Sequence, residues 1–314
     1  MKDKKKTLII LLSFISYLII IFLKNYFFCD IFFGECFNEP YTGDLKIYNV
    51  HFKLNSINGY NGTLLDLIFI LTNSWLSFKF FLIFFNLIFY SVIFFCCLIL
   101  SQNKSLWKTM FIILVVIFYP FYEGYSSFGL QQGLGIIFMF ISIFLVKKKY
   151  SFLWFLFALL SVLSHFIFLL FYIILFFSKF FNVRSLIFLF LVSIFLYIFG
   201  ITKFLSIIEI VNTLTNSTLF VNDTILDDIV IKIRFDFILF SSLPLFCYYV
   251  PQFKKVFNND HLIKSLFKFH LLFSTAIYLF FSEYYYINRV LSISWLLYPF
   301  YFYILSRPLK FKIN

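Results

Sequence analysis

Two arginines stand beside long apolar runs, where a charged side chain is costly. Arg234 lies in Lys-Ile-Arg-Phe-Asp (232–236), and Arg289 separates the tyrosines of EYYYIN from an apolar run. An ionisable residue at membrane depth usually has a partner or a task, because burying its charge in hydrocarbon is unfavourable. The planar fork of a guanidinium matches the oxygens of a phosphate. The pair of arginines therefore indicates a site for a phosphate or a pyrophosphate.

The neighbours of Arg234 bear on whether its guanidinium is open to a ligand. Lys232 and Asp236 are four residues apart, on one face of a helix, and this spacing predicts an ion pair between them. Arg234 would then point elsewhere and be free for a ligand. In the competing interpretation, Arg234 and Arg289 extend to lipid headgroups or pair with acidic residues of segment 203–232.

His165 interrupts the apolar stretch LLSVLSHFIFLLF. Its side chain titrates near neutral pH and suits a general base that removes the proton of a hydroxyl group. A lone histidine in an apolar stretch is also typical of a hydrogen-bonded packing residue, so both interpretations stay open.

The remaining polar candidates allow two interpretations each. Glu35, Glu39 and Asp44 fit either solvated loop residues or binding groups, and the tyrosines of 284–286 fit either an interfacial aromatic belt or a platform for a sugar. No CxxC or histidine-rich cluster predicts a metal site. Cys29 and Cys36, in the first polar segment, are candidates for a disulfide.

These residues must be positioned by helices in a membrane. The chain of 314 residues is 62% hydrophobic and 25% aromatic, with a mean hydropathy of +0.96. A soluble domain of this length has too little interior for so much apolar surface. Apolar runs of about 15–20 residues fit helices that cross a bilayer. The sequence predicts an all-α, polytopic membrane protein whose basic, apolar N-terminus is a retained first helix and not a signal peptide.

About ten transmembrane segments, within a range of 8 to 12, are predicted in a single transmembrane domain covering 1–314, with outer loops near 25–78 and 203–232. The apolar span 152–177 has basic residues on both flanks, so it is divided into two short segments with His165 at the outer turn. The predicted segments are 7–24, 79–100, 109–120, 131–146, 152–164, 166–178, 185–202, 233–250, 268–282 and 290–305.

Charge places both termini in the cytoplasm. In this topology 18 of the 26 basic residues lie on the inner side, whereas Asp3 and Asp260 alone among the 14 acidic residues do. This bias follows the positive-inside rule, so the formal charge of +12 does not indicate nucleic-acid binding. His165, Arg234 and Arg289 fall on the outer side.

The order of motifs resembles the EpsG-like, Wzy-type bacterial polysaccharide polymerases. The similar blocks are GLQQGLGIIFMFISIFLVKKKYSFLWFLFALLSVLSHFIFLLF (129–171), KIRFDFILFSSLPLF (232–246), EYYYINRVLSISWLLYP (283–299) and NEPYTGDL (38–45). They cover most of the chain in the family's order. Gln131-Gln132 stands where the family often has Arg-Gln, so one cation of the family's site is absent.

The resemblance implies an enzyme that joins undecaprenyl-pyrophosphate-linked oligosaccharide repeat units at the outer face of the bacterial inner membrane. The product would be an O-antigen of lipopolysaccharide, a capsule or an exopolysaccharide. Glycosyl transfer would need no metal and no cofactor, because Arg289 and Arg234 would neutralise the pyrophosphate leaving group. His165 would be the base or would orient the acceptor. The substrate-binding residues would be Glu39, Gln132, Lys232, Asp236, Glu283, Tyr285 and Asn288.

The implied partners are the lipid-linked donor and acceptor, membrane lipids and a co-polymerase that regulates chain length. Three alternatives remain open from the sequence. One is another membrane glycosyltransferase that uses polyprenyl-phosphate sugars. The second is a membrane O-acyltransferase of glycans with His165 as its key residue, and the third is a transporter of lipid-linked sugars.

Overall fold

The computed structural model describes residues 14–22, 43–53, 64–101, 125, 129–147, 150–202, 234–281, 287–298 and 301. Within these ranges the chain is helical, and no strand occurs among them. The predicted all-α class is therefore confirmed for the described part of the chain. The predictions for Cys29, Cys36, segment 109–120 and loop 203–232 lie outside the described residues.

The helices are named in chain order, with α1 for the helical residues 14–22. A short 3-10 turn, Ser178–Phe180, follows α7. The others are α2 Gly43–Lys53, α3 Leu64–Thr72, α4 Phe78–Ser101, α5 Leu130–Lys147, α6 Ser151–Ser164, α7 Ile167–Phe177, α8 Val183–Ile198, α9 Phe235–Tyr249, α10 Pro251–Asn259, α11 His261–Phe280 and α12 Ile287–Trp295.

The chain forms two compact units, Met1–Leu169 and Leu170–Asn314, and the boundary falls within α7. The single transmembrane domain stays a prediction.

In the first unit α5 packs closely on its neighbours because it carries two glycines. A Cβ on Gly133 would overlap the carbonyl oxygen of Tyr125, and a Cβ on Gly135 would overlap the ring of Phe168. The hydroxyl of Ser161 on α6 donates a hydrogen bond of 2.8 Å to the carbonyl of Gly135. The motif GLQQGLG therefore allows α5 to approach α6 and the start of α7.

The predicted division of the span 152–177 is confirmed. Helix α6 ends at Ser164, α7 begins at Ile167, and His165 lies between them in extended backbone (φ −160°, ψ 122°). The turn at His165 divides the apolar run into helices of 14 and 11 residues.

In the second unit α8 and α11 run parallel. Lys268 near the start of α11 donates from Nζ to the carbonyl of Lys179, just before α8, over 3.0 Å. At the far ends of the two helices, the rings of Tyr197 and Tyr278 lie 5.2 Å apart. The unit therefore has one end with lysines and an opposite end with these tyrosines, separated by about 15 Å along α11.

Two expected loops contain helices. The inner loop predicted between 250 and 268 contains α10 and the first turns of α11, and the polar outer segment contains α2. Pro251 suits the first position of α10, where a helix needs no backbone N–H. Asp260 caps α11 by accepting from the N–H groups of Leu262 and Ile263. These local signals start helices where the hydropathy pattern indicated loops.

Two of the described helices are long and apolar enough to cross a membrane, over Phe78–Cys96 and His261–Phe280. The shorter apolar helices are Leu130–Val146, Phe152–Ser164, Ile167–Phe180, Val183–Ile198 and Phe235–Tyr249. The predicted number of about ten spans stays a prediction.

Candidate functional site

His165 stabilises the turn at which α7 begins. Its Nδ1 accepts a hydrogen bond of 3.3 Å from the N–H of Ile167, the first residue of α7. Its backbone carbonyl accepts from the N–H of Phe168 over 3.1 Å. The side chain therefore satisfies an N–H group that has no partner within the helix.

The other ring nitrogen of His165 faces α5. The amide nitrogen of Gln132 lies 3.3 Å from Nε2 of His165. Because Nδ1 accepts from Ile167, the proton of the neutral ring resides on Nε2, and a flip of the Gln132 amide, which exchanges its nitrogen and oxygen, supplies the matching acceptor. In this arrangement His165 donates a hydrogen bond from Nε2.

Burial of His165 lowers its pKa below the ordinary value of 6.5. The ring is therefore neutral at pH 7, which agrees with the hydrogen bond that Nδ1 accepts. In this tautomer Nε2 carries the proton and Nδ1 accepts from the N–H of Ile167. Both expected roles of His165, as base and as orienting group, stay predictions. Gln132, which was expected to bind substrate, contacts His165, and its expected role stays a prediction.

Arg234 pairs with Asp236, so the expectation that its side chain points away from Asp236 was wrong. Its Nε donates to Oδ1 of Asp236 over 2.9 Å, and its Nη2 donates to Oδ2 over 2.6 Å. The guanidinium also lies 4.1 Å from the ring centre of Phe237. Asp236 therefore holds the guanidinium of Arg234 in place.

The ion pair leaves part of the guanidinium available. The side chains of Arg234 and Asp236 are 53% and 60% exposed. Asp236 takes two of the five N–H donors of an arginine. No described residue accepts a hydrogen bond from the other three N–H donors of Arg234. These donors form a fixed, planar fork that can bind an anion.

The N-terminus of α9 lies at the end of the second unit opposite to the lysines. The backbone N–H of Arg234 donates to the hydroxyl of Tyr197, at the end of α8, over 3.4 Å. Lys179 and Lys268 mark the other end. The structure thus places Arg234 and these two lysines at opposite ends of the second unit.

Ring contacts indicate that helix α12 runs parallel to α9, which carries the first turn of α12 toward the end of the pair where Arg234 lies. The rings of Phe237 and Trp295 lie 5.6 Å apart, and three residues later the rings of Phe240 and Tyr298 lie 5.5 Å apart. This register puts the backbone of Arg289 about one helical turn beyond Arg234, roughly 10 Å away. The two arginines are therefore carried on the same end of the same helix pair.

The other predicted site residues are only partly described. Glu39, Lys232, Glu283 and Tyr285 lie outside the described residues, so their expected roles stay predictions. Asn288 and Arg289 lie in α12, where the structure describes the backbone.

Sequence reasoning missed two polar clusters. In the first unit the carboxylate of Asp66, with 6% of its side chain exposed, lies 3.8 Å from Nδ1 of His51. In the second unit Ser241 is surrounded by buried donors of α11 and α12, which include His270 and Trp295. Pro244, inside an apolar run beside Ser241 and Ser242, was the available signal for the second cluster.

The first unit therefore carries a neutral, hydrogen-bonded histidine, and the second unit carries an oriented arginine. Such groups can orient a hydroxyl and bind an anion. Among the described residues no group of three or more His, Cys, Asp or Glu side chains is placed to hold a metal ion. Searches of family models, of curated proteins and of solved structures found no match to this chain.

Proposed function

We propose that this protein is a membrane polymerase of the EpsG-like, Wzy type, which joins lipid-linked oligosaccharide repeat units. The observation that carries the proposal is the arrangement at one end of the second unit. There Arg234 is oriented by Asp236 and Phe237, and the first turn of α12, with Arg289, runs parallel beside it.

A membrane location is supported by the apolar outer faces of the helices. On α6 the exposed side chains Phe152, Phe155, Leu159 and Leu163 recur every three or four residues and form one apolar face. Phe152, the first of them, is 75% exposed. Large apolar side chains in such a row favour contact with lipid over contact with water.

The leaving group explains the need for arginines. The hydroxyl of the acceptor unit attacks the anomeric carbon of the growing chain, and the bond from that carbon to the pyrophosphate oxygen breaks. Undecaprenyl pyrophosphate leaves with the bonding electrons, and the proton of the hydroxyl passes to a base. The donors of Arg234 that Asp236 does not use, together with Arg289, would stabilise the charge that develops on the pyrophosphate.

The glycan ladder of intact cells tests this function. Cells carrying the wild-type chain, a deletion, Arg289→Ala or Arg289→Lys are compared on a gel at equal protein level. We expect the deletion and Arg289→Ala to reduce the ladder to a single repeat unit. We expect Arg289→Lys to retain only short chains, because an ammonium lacks the planar fork of a guanidinium. A normal ladder in the deletion would remove the proposal.

A transporter of lipid-linked sugars is the second candidate, and Pro244 inside α9 favours it. Helices interrupted at glycine or proline are common in the substrate sites of transporters. Helix α9 contains such a proline, although it continues through it. The same deletion separates the two functions, because loss of a transporter leaves no surface glycan, whereas loss of a polymerase leaves one repeat unit.

A further inference from the structure

Pro244 leaves a gap in the hydrogen bonds of α9. Proline has no N–H, so the carbonyl of Phe240, four residues earlier, loses its usual partner within the helix. That carbonyl instead accepts a hydrogen bond of 2.7 Å from the hydroxyl of Tyr298. A residue beyond α12 therefore supplies the donor that the proline lacks.

Ser241, next in the chain, is held by three further donors. Its hydroxyl accepts from the hydroxyl of Tyr278 over 3.1 Å and from Nε1 of Trp295 over 3.0 Å. Its carbonyl accepts from Nε2 of His270 over 2.8 Å. We name Ser241, His270, Tyr278, Trp295 and Tyr298 the Ser241 clamp.

The clamp is buried, and its aromatic rings are packed against α9. The ring of Trp295 lies 5.6 Å from Phe237 and 5.2 Å from Phe240, and the ring of Tyr298 is stacked on Phe240 at 5.5 Å. Buried hydrogen bonds are costly to leave unmade, so the clamp resists separation of α9 from α11 and α12.

A proline in a helix interior kinks or weakens the helix, and the half of α9 before Pro244 is then free to change direction. That half ends at Arg234, about two turns before Ser241. Helix α12 carries Arg289 a similar distance before Trp295. The clamp therefore sits where it fixes the separation of the two arginines.

We propose that Tyr298, with the rest of the Ser241 clamp, is a positioning residue that sets the spacing of Arg234 and Arg289 for a pyrophosphate group. The inference rests on the proposed function for the identity of the natural ligand. The clamp itself depends only on the contacts around Pro244.

A double-mutant cycle of Pro244→Ala and Tyr298→Phe tests the proposal in the purified full-length protein. Tyr298→Phe removes only the hydroxyl. Pro244→Ala gives residue 244 an N–H that can donate to the carbonyl of Phe240, and this makes the tyrosine hydroxyl redundant. The readouts are thermal unfolding and the dissociation constant of inorganic pyrophosphate.

We expect Tyr298→Phe to lower the unfolding midpoint and to weaken pyrophosphate binding about 10-fold when Pro244 is present. In the Pro244→Ala background, the same substitution should change neither quantity. The control is Tyr249→Phe, which removes the hydroxyl of an exposed tyrosine on the same helix and should have no effect in either background. Arg234→Ala should weaken pyrophosphate binding and so locate the probe at the proposed site.

Two results would overturn the proposal. If the two substitutions act additively on unfolding, the tyrosine does not replace the missing N–H. If they are coupled in unfolding but not in pyrophosphate binding, the clamp is structural and positions no anion site. Ser241→Ala provides a second variant, and it should weaken pyrophosphate binding if Tyr298→Phe does.

Failure of the proposed function gives a different pattern. If Pro244→Ala and Tyr298→Phe are coupled in both unfolding and pyrophosphate binding, and the deletion strain has a normal glycan ladder, the role of the clamp is supported and the polymerase function is ruled out. If the deletion strain makes a single repeat unit and the two substitutions are not coupled, the polymerase function is supported and the role of the clamp is ruled out.

Discussion

At the scale of single residues, the two ring nitrogens of His165 have different partners and different structural effects. Nδ1 accepts from the N–H of Ile167 and supports the turn, and Nε2 faces Gln132. An asparagine at this position retains an acceptor for the N–H two residues later, but it has no titratable ring.

The substitution His165→Asn therefore keeps the hydrogen bond that supports the turn and removes the imidazole ring that could take part in the reaction. We expect the polymerisation rate to fall about 10-fold or less, because the turn is kept and an orienting donor is lost. His165→Ala should lose the turn as well and lower the unfolding midpoint. A loss of about 10²–10⁴-fold in His165→Asn, at an unchanged unfolding midpoint, would instead assign His165 as the general base.

The pH dependence of the rate reports on the same ring. Burial lowers the pKa of His165, so the neutral form persists below the ordinary value of 6.5. The rate should stay level as the pH falls to 6.5 and decline only at lower pH, where protonated Nδ1 no longer accepts from Ile167. The pH profile of His165→Asn should lack this decline; a decline that persists in the variant would belong to another group.

Asp236 offers a test of the oriented arginine. Exposed ion pairs contribute about 0–1 kcal/mol, so Asp236→Asn should change the free energy of unfolding by no more than that. The glycan ladder should nevertheless shorten, because the guanidinium of Arg234 is no longer held by two charged hydrogen bonds. Asn258→Ala, on the exposed face of α10, is the control. An unchanged ladder in Asp236→Asn would show that the pair is incidental.

At the scale of elements, the glycines of α5 set the approach of its neighbours. Exchanging glycine for alanine usually stabilises a helix interior by about 0.5–1 kcal/mol. At Gly133 and Gly135 we expect the opposite sign and a loss of about 1–3 kcal/mol, because each added Cβ would overlap a packed neighbour. The free energy of unfolding of each variant measures this.

Gly133→Ala should cost more than Gly135→Ala. The contact at Gly133 is a backbone carbonyl, whereas the contact at Gly135 is a ring that can shift. Gly200→Asn is the matched control, since Gly200 has φ of +71° and open space around it, and asparagine tolerates this conformation. Stabilisation by alanine at Gly133 would contradict the close approach of α5.

At the scale of the whole molecule, the predicted topology is tested by labelling of single cysteines. In a background without the five native cysteines, Phe166→Cys and Phe235→Cys should react with a membrane-impermeant reagent in intact cells. Both positions are exposed and lie beside His165 and Arg234. Lys255→Cys, on exposed α10, should react only after the membrane is permeabilised. The reverse pattern would place the arginines on the cytoplasmic side and exclude a polymerase acting at the outer face.

The sequence by itself determined the helical class, most helix positions and the break at His165. These follow from local properties, because the length of an apolar run and its basic flanks do not depend on distant contacts. Helix α4 was predicted over 79–100 and is found at Phe78–Ser101, and α5 was predicted over 131–146 and is found at Leu130–Lys147.

The tertiary structure decided which polar groups meet. Arg234 precedes α9 with non-helical backbone (φ −93°, ψ 86°), so the helical i, i+4 rule that favoured Lys232 with Asp236 does not govern its pairing. Asp66 meets His51 across two helices, and Ser241 meets donors from three distant positions. The parallel register of α9 and α12 is likewise absent from the sequence pattern, since it is set by packing between residues about 58 positions apart, such as Phe240 and Tyr298.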